Sequence, residues 1–503
     1  AQVCVRECDV KGPNACTFLF VLMRVADDSI QALLSAAYTV FTLGTCYVLS
    51  WLLLGPAMLP GGSGWALVVL YGCATIAGRL LPKIYKRLPP LLGMLTVGLF
   101  LRNVPTGEFG ANPGEFLSPL LGEAFEWWSR WIRAAALAII MLRAGLGLDL
   151  DKLRTLGLVT ARLAVLPCLL EALSVMALAG PLLGLPLAWG GTLGFVLAAV
   201  SPAVVVPGML DLGERGYGVA KGVPTMVVAA ASFDDVLAIA GFGVCLALAA
   251  GSSTQSRGAS ELAWLVLRTP IELLAGIVFG LLCGVVASWP KRVKDLGTGP
   301  HCRAVAASAL LSVIGGKCVN FSGGGALGAI VLGATAGRLW PTEQRKAVQA
   351  AVNNTWTLLQ PALFGLLGAA VDVRSIEPSE IGRGIGLVAA ALAVRILITR
   401  LAMIKSGLNA REAALVCVAW LPKATVQAAV GGTALDLVQE RGYGEEAEKY
   451  GRLVLMLSVL VILLTAPLGA IGIANLGPLW LTRDLINEPV KDHEAATVIA
   501  EAK

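Results

Sequence analysis

The chain has 503 residues, of which 56% are hydrophobic and only 14% are charged, against roughly 25% charged in an ordinary soluble domain. Its net charge of +6 is modest for this length, which argues against a nucleic-acid partner. Apolar stretches recur from one end to the other, each near the ~20 residues that cross a bilayer as a helix. The composition therefore excludes a soluble protein and predicts an all-α polytopic membrane protein.

About fourteen segments are predicted to be transmembrane helices. The predicted spans are 31–59, 64–80, 88–101, 126–146, 155–183, 186–209, 219–250, 262–290, 301–317, 323–338, 349–372, 380–404, 410–435 and 451–478. Lys and Arg are more frequent in the connections after even-numbered spans, so the positive-inside rule predicts that both termini are cytoplasmic. A helical chain without a cleavable signal favours a plasma or endolysosomal membrane, with mitochondria as the alternative.

Two pairs of motifs recur seven spans apart. "MLRAGLGLDLDKL" (141–153) is similar to "LFGLLGAAVDVRSI" (363–376), and "AAVSPAVVVPGML" (198–210) is similar to "AWLPKATVQAAVGG" (419–432). Because the offset is odd, the two copies cross the membrane in opposite directions, which predicts inverted repeats. The predicted organisation is a cytoplasmic N-terminal segment 1–30, an additional helix 31–59, a first repeat 64–250, a linking helix 262–290, a second repeat 301–478 and a cytoplasmic tail 479–503.

Prolines interrupt the sixth and thirteenth spans. Pro202 and Pro207 lie in the first and Pro422 in the second, and none of them donates a backbone hydrogen bond. Paired broken helices mark the midplane binding site of secondary transporters, although simple proline kinks are the alternative. Ser201 and Thr425, beside the two breaks, offer hydroxyls to a cation or to freed carbonyls.

Two adjacent acids, Asp234 and Asp235, lie inside the apolar run "AAASFDDVLAIAG" (229–241). Asp234 follows Lys221 by 13 residues, or ~20 Å of helix, which predicts a position near the middle of the membrane. A carboxylate there costs at least ~2.5–3.5 kcal/mol, so a lipid-facing position is disfavoured. Desolvation and like charge favour protonation of at least one carboxyl, so that a proton competes with a cation. A structurally satisfied acid pair is the alternative.

Further charges lie within other spans. Glu171 in the fifth span and Arg395 in the twelfth are predicted to form a structural ion pair, because a lone buried charge is costly. Lys423 follows the break at Pro422. It is expected either to neutralise the dipole ends where the broken helices meet or to bind an aspartate directly.

The motifs "SFDDVLAI", "SPAVVVPGML" and "GLGLDL" resemble those of monovalent cation/proton antiporters with the NhaA-type fold, over about residues 60–478. More narrowly, they resemble the animal sodium/proton antiporters of the NHA type. The resemblance implies two crossing broken helices and a homodimer, in which a core domain moves against a dimerisation domain in an elevator-like cycle. It implies that Asp235 is the main carrier of Na⁺, Li⁺ or a proton and that Asp234 assists.

The resemblance also marks a departure. Bacterial relatives with two aspartates often keep a lysine where this chain has Arg395, and the arrangement here is similar to that of electroneutral exchangers. The additional span 31–59 is a candidate for the dimer interface, with membrane lipids as partners.

Other functions are weighed against antiport of Na⁺ or Li⁺ for H⁺. A K⁺/H⁺ antiporter of the same fold is the closest alternative, because two carboxylates do not distinguish Na⁺ from K⁺. A channel fits inverted repeats less well, and an intramembrane aspartyl protease needs its two aspartates on separate helices. No Walker-type motif is present, which argues against a primary pump. The prediction is a secondary transporter, not an enzyme, without a cofactor.

Overall fold

The fold is known from a computed structural model. It describes residues 44–45, 47–53, 55–59, 62–103, 123–147, 150–252, 259–289, 298–319, 321–372 and 378–483. The predicted N-terminal segment 1–30, much of the span 31–59 and the tail after residue 483 lie outside the described residues, and predictions about them stay untested.

Helices make up nearly all of the described chain from residue 63 onward. They are α1 Ser63–Ile84, α2 Pro90–Asn103, α3 Glu123–Gly147, α4 Leu150–Leu183, α5 Leu187–Ala198, α6 Pro202–Glu214, α7 Val223–Ser252, α8 Ala259–Ser288, α9 Thr298–Cys318, α10 Ser322–Leu339, α11 Thr342–Ala369, α12 Pro378–Ala402, α13 Ala410–Ala419, α14 Thr425–Val430, α15 Thr433–Arg441 and α16 Glu445–Trp480. Each predicted span from residue 64 on overlaps one of these helices, except that 186–209 overlaps α5 and α6, and 410–435 overlaps α13, α14 and the start of α15.

Seven helical segments of the described chain are long and apolar enough to cross a membrane. They are Gly55–Ile84, Gly157–Leu183, Leu187–Glu214, Val223–Ala249, Ile271–Ser288, Ser379–Ala402 and Glu445–Trp480. Other helices are shorter or more polar; α2 has only 14 residues, and α11 begins with the polar sequence "TEQRKAVQ". The structure is thus that of a polytopic helical protein, and the count of about fourteen spans stays a prediction.

The sixth and thirteenth predicted spans are both interrupted by non-helical residues. Residues 199–201 separate α5 from α6, and Pro202 is the first residue of α6, where its missing N–H costs nothing. Pro207 lies inside α6, which continues past it to Glu214. Residues 420–424 separate α13 from α14. The two breaks meet, because the amide of Ser201 donates to the carbonyl oxygen of Pro422 at 2.8 Å.

Glycines bring two pairs of helices into close contact. Helix α2 packs on α11, and a Cβ added to Gly98 would lie 2.0 Å from the carbonyl oxygen of Gly365. Helix α3 packs on α10 in the same way, and a Cβ on Gly145 would lie 2.1 Å from the carbonyl oxygen of Ile330. Small residues allow such backbone contact, which is a main source of helix association inside a membrane.

We expect Gly145→Ala to lower stability by about 1–3 kcal/mol, because the added methyl group meets a backbone carbonyl that cannot rotate away. Thermal unfolding of the purified protein in detergent measures the effect. Gly386→Ala is the matched control, since Gly386 is an exposed glycine of α12 with nothing within 4 Å of an added Cβ. Equal melting temperatures for the two variants would contradict the close contact.

Candidate ion-binding site where two broken helices meet

The first break frees backbone carbonyls at the end of α5, and buried side chains from the second broken helix satisfy them. The amide Nε2 of Gln427 donates to the carbonyl oxygens of Val196 and Ala199, at 2.9 and 2.8 Å. The ammonium Nζ of Lys423 donates to the carbonyl oxygen of Ala198 at 3.0 Å. An ammonium or an amide NH₂ group is a suitable donor at this position, because a helix C-terminus carries partial negative charge.

Arg395 of α12 lies at the centre of the site and is 0% exposed. Its Nε donates to the carbonyl oxygen of Trp420 at 2.6 Å, and its Nη1 donates to that of Ala198. Its Nη1 also bonds the Glu171 carboxylate, and its Nη2 lies 3.1 Å from Oδ1 of Asp234. One planar guanidinium thus contacts both breaks and two carboxylates, which a lysine cannot do in the same geometry.

Glu171 of α4 pairs with two basic side chains rather than with one. Its Oε2 accepts from Arg395 and, at 2.8 Å, from Nζ of Lys423. The pairing of Glu171 with Arg395 has the geometry that the sequence suggests, and Lys423 is a third member of the group. The sequence leaves two roles open for Lys423, at the helix ends or on an aspartate. Its described contacts are with the carbonyl end of α5 and with Glu171, and not with an aspartate.

The two aspartates of α7 have different surroundings. Asp234 is 0% exposed; its Oδ2 accepts from the Val200 amide at 2.7 Å and its Oδ1 faces Arg395. Asp235 is 1% exposed, and neither of its carboxylate oxygens has a hydrogen-bond partner among the described residues. Adjacent helical residues point ~100° apart, so the two carboxylates cannot share one set of donors. Asp234 is therefore held by its partners, whereas Asp235 has none for its carboxylate among the described residues.

The hydroxyls beside the breaks come together. Ser201 and Thr425 are buried, and their oxygens are 3.5 Å apart, which is long for a hydrogen bond between hydroxyls. Neither is found on the freed carbonyls, which Arg395, Lys423 and Gln427 occupy. Behind the second break, the amide of Lys423 donates to the Thr465 hydroxyl of α16 at 3.0 Å.

Sequence reasoning missed several buried polar groups, and two of them, Gln427 and Arg133, bond other helices near the breaks. Gln427 satisfies two carbonyls of the first break, and the signal was a lone amide two residues beyond Thr425 in a buried run. Arg133 of α3 is 5% exposed and donates to Ser129 and to Asp436 of α15. Its signal was a charge inside the predicted span 126–146. It joins α3 to α15, and its described contacts do not include the aspartate pair.

Broken helices that meet beside a buried carboxylate pair are features of ion-coupled secondary transporters. Residues 66–476 match the model of the family described as "Sodium/hydrogen exchanger, transmembrane". The chain belongs to this sodium/hydrogen exchanger family, and it is an integral multi-pass membrane protein.

Similar proteins agree with this assignment. Sodium/hydrogen exchanger 9B2 of Mus musculus is 40% identical over 448 residues, which cover 87% of this chain and 78% of that protein. Sodium/hydrogen exchanger 9B1 of Homo sapiens is 40% identical over 442 residues, covering 87% and 82%. The solved structure of the sodium proton antiporter MjNhaP1 from Methanocaldococcus jannaschii has the same fold, with a TM-score of 0.64 at 19% identity, over 82% of this chain and 98% of that one.

Arg395→Lys is expected to lower stability by about 3–5 kcal/mol, because an ammonium cannot replace the fork and leaves buried acceptors unpaired. The measurement is thermal unfolding in detergent. Arg383→Lys on the same helix is the control, since Arg383 is exposed and its guanidinium bonds Ser379, one turn earlier in the same helix. A melting temperature of Arg395→Lys equal to that of the control would count against the central role of the guanidinium.

Proposed function

We propose that the protein is a secondary active Na⁺(Li⁺)/H⁺ antiporter in which the cation and the proton compete for Asp235. The observation that carries the proposal is the pair of carboxylate oxygens of Asp235, which are buried and without a partner among the described residues. A buried carboxylate without partners is unstable as a bare anion. A proton or a small cation removes that instability, and the two cannot occupy the carboxylate together.

The charges around the crossing support exchange of one cation for one proton. Glu171, Asp234 and Asp235 are three acids, and Arg395 and Lys423 are two bases, all buried in the described structure. With every group ionised, the set carries one excess negative charge, which a single H⁺, Na⁺ or Li⁺ neutralises. Because Glu171 holds both bases and Asp234 is braced, Asp235 is the group whose occupancy changes. The neutral, loaded site then crosses the membrane interior at lower cost than the empty one.

We also propose that access alternates by movement of a core that carries the site against a dimerisation domain, in an elevator-like cycle. The paired helix contacts support the underlying inverted repeats: α2 packs on α11, and their repeat partners α10 and α3 pack on each other. In each pair the contact is made through glycine and a backbone carbonyl. The predicted domain limits, 64–250 and 301–478, place one helix of each pair in each repeat.

A homodimer, bound membrane lipids, cytoplasmic termini and a plasma or endolysosomal location stay predictions. The homodimer follows from the resemblance of the motifs to dimeric antiporters. The termini follow from the Lys and Arg distribution along the loops.

Asp235→Asn is expected to abolish exchange, because an amide neither binds a proton nor compensates a cation. The protein is reconstituted into vesicles with an imposed pH gradient, and lumenal pH is recorded on addition of Na⁺, Li⁺ or K⁺. Asp211→Asn, a change of an exposed aspartate of α6, is the control and keeps the wild-type rate. Exchange by Asp235→Asn at the control rate would disprove the carrier role, and a response to K⁺ alone would assign a different cation.

The initial rate of Na⁺/H⁺ exchange is expected to be unchanged when the membrane potential is clamped at zero or at an inside-negative value. The reason is that the loaded site carries no net charge whether it holds a proton or Na⁺. The measurement uses the same vesicles at equal ion gradients. A rate that rises or falls steadily with potential would show that a second charge crosses with the site.

A further inference from the structure

We propose that the amide oxygen of Gln427 is a ligand of the transported cation, opposite the carboxylate of Asp235. The inference rests on the proposed function, since it assigns a specificity-determining residue to the same site. The coordinating atom is a neutral oxygen of the second broken helix, and the ion that it binds is a small alkali cation, Na⁺ or Li⁺.

The orientation of the Gln427 amide is determined by its surroundings. An amide oxygen and nitrogen are hard to tell apart by shape, and their assignment depends on the hydrogen-bond partners. Here two carbonyl oxygens, of Val196 and Ala199, lie 2.9 and 2.8 Å from the same end of the side chain. Carbonyl oxygens only accept hydrogen bonds, so that end is the NH₂ group. The oxygen Oε1 must therefore point away from the end of α5.

That oxygen has no hydrogen-bond donor among the described residues, although Gln427 is 0% exposed. Buried polar atoms of proteins nearly always have a partner, and an exception needs a physical explanation. Among the described residues, side-chain carboxylate and amide oxygens that are buried without a partner occur at Asp235, Gln427 and Asp436. Asp436 belongs to the separate Arg133 cluster. Asp235 and Gln427 both lie where the broken helices meet.

The aspartate pair and Gln427 are linked through a single peptide group. The carbonyl oxygen of Ala199 accepts from Gln427, and the amide of Val200, in the same peptide, donates to Asp234 at 2.7 Å. Helix α14, which carries Gln427, packs directly against α7, which carries the aspartates. Gln427 and Asp234, the neighbour of Asp235, are therefore bonded to the two ends of one peptide group at the first break.

The chemistry of an amide oxygen separates the two substrates. Oxygen atoms are the ligands that hard cations prefer, and a neutral amide oxygen adds to their coordination without adding charge. A protonated carboxyl donates at most one hydrogen bond to such an oxygen, whereas a dehydrated alkali cation needs several oxygen ligands at once. Gln427 thus favours Na⁺ or Li⁺ over H⁺ at a site whose negative charge either a cation or a proton neutralises.

The test is binding of Na⁺ to purified Gln427→Met, a side chain of similar length without an amide. Cation binding is followed by the rise of the melting temperature with Na⁺ concentration at several pH values. We expect Gln427→Met to need about tenfold more Na⁺, or more, for half of the effect. The pH dependence of melting without Na⁺ is expected to match that of wild type. Gln349→Met is the matched control, because Gln349 likewise donates to a helix-end carbonyl, that of Leu146, and keeps wild-type Na⁺ binding.

Three outcomes overturn the inference. Unchanged Na⁺ binding by a folded Gln427→Met would show that the oxygen does not contact the cation. Equal shifts in the Na⁺ and proton dependences would show that Gln427 acts only by holding the carbonyls of α5. If Na⁺ did not raise the melting temperature of the wild-type protein, or if protons did not suppress that rise, the proposed function would be overturned and the inference with it.

A measurement on the wild-type protein covers the case in which Gln427→Met does not fold. Protein labelled with ¹³C-glutamine is examined by infrared difference spectroscopy on addition of Na⁺. Coordination is expected to shift the side-chain amide carbonyl band of one glutamine. No Na⁺-induced glutamine band, in protein that still melts at a higher temperature with Na⁺, would overturn the inference and leave the proposed function standing.

Discussion

The charge of Arg395 cannot remain buried without acceptors, and satisfying it draws separate parts of the chain to one point. The guanidinium binds the carbonyls of Ala198 and Trp420, one from each broken helix, and the carboxylates of Glu171 and Asp234. A bilayer interior offers no water to replace any of these partners. The breaks of the two helices are therefore possible because charged side chains of other helices take over the hydrogen bonds that the helices lack.

The same network leaves one carboxylate free. Glu171 is shared by two cations, and Asp234 is held by a backbone amide and by Arg395, so neither can accept an ion without giving up partners. Asp235, one residue further along α7, has no such commitment among the described residues. In the proposed mechanism, Glu171 and Asp234 keep their partners throughout. The net charge of the site then depends on whether Asp235 holds a proton, a cation or neither.

Two kinds of interaction hold the helices together. Away from the site, glycines such as Gly98 and Gly145 bring backbones into contact, and the association depends on close packing. At the site, polar side chains join helices at their interrupted ends. Close packing resists small displacements within a group of helices. Hydrogen bonds between such groups can be exchanged for others, which the proposed alternating access would require.

Much of the fold was predictable because it follows from local properties of the chain. Apolar stretches from residue 63 onward are helices because a bilayer requires every backbone group to be bonded within its segment. The breaks lie at Pro202 and Pro422 because proline has no N–H, and Asp234 and Asp235 stand out because a charge in an apolar run is costly. These features depend on a few neighbouring residues, so the sequence by itself determined the helices, their breaks and the candidate carboxylates.

Except for the pairing of Glu171 with Arg395, which a lone buried charge already suggests, the partners of the site residues were decided by the tertiary structure. Lys423 lies on Glu171 rather than on an aspartate, and the amide of Gln427 reaches carbonyls more than 200 residues away in the chain. Such contacts depend on how helices from the two halves pack, and no local pattern encodes that distance. The sequence therefore predicted two acids within one apolar helix. The difference between Asp234, which has partners, and Asp235, which has none among the described residues, arises only when α4, α7, α12 and both broken helices meet.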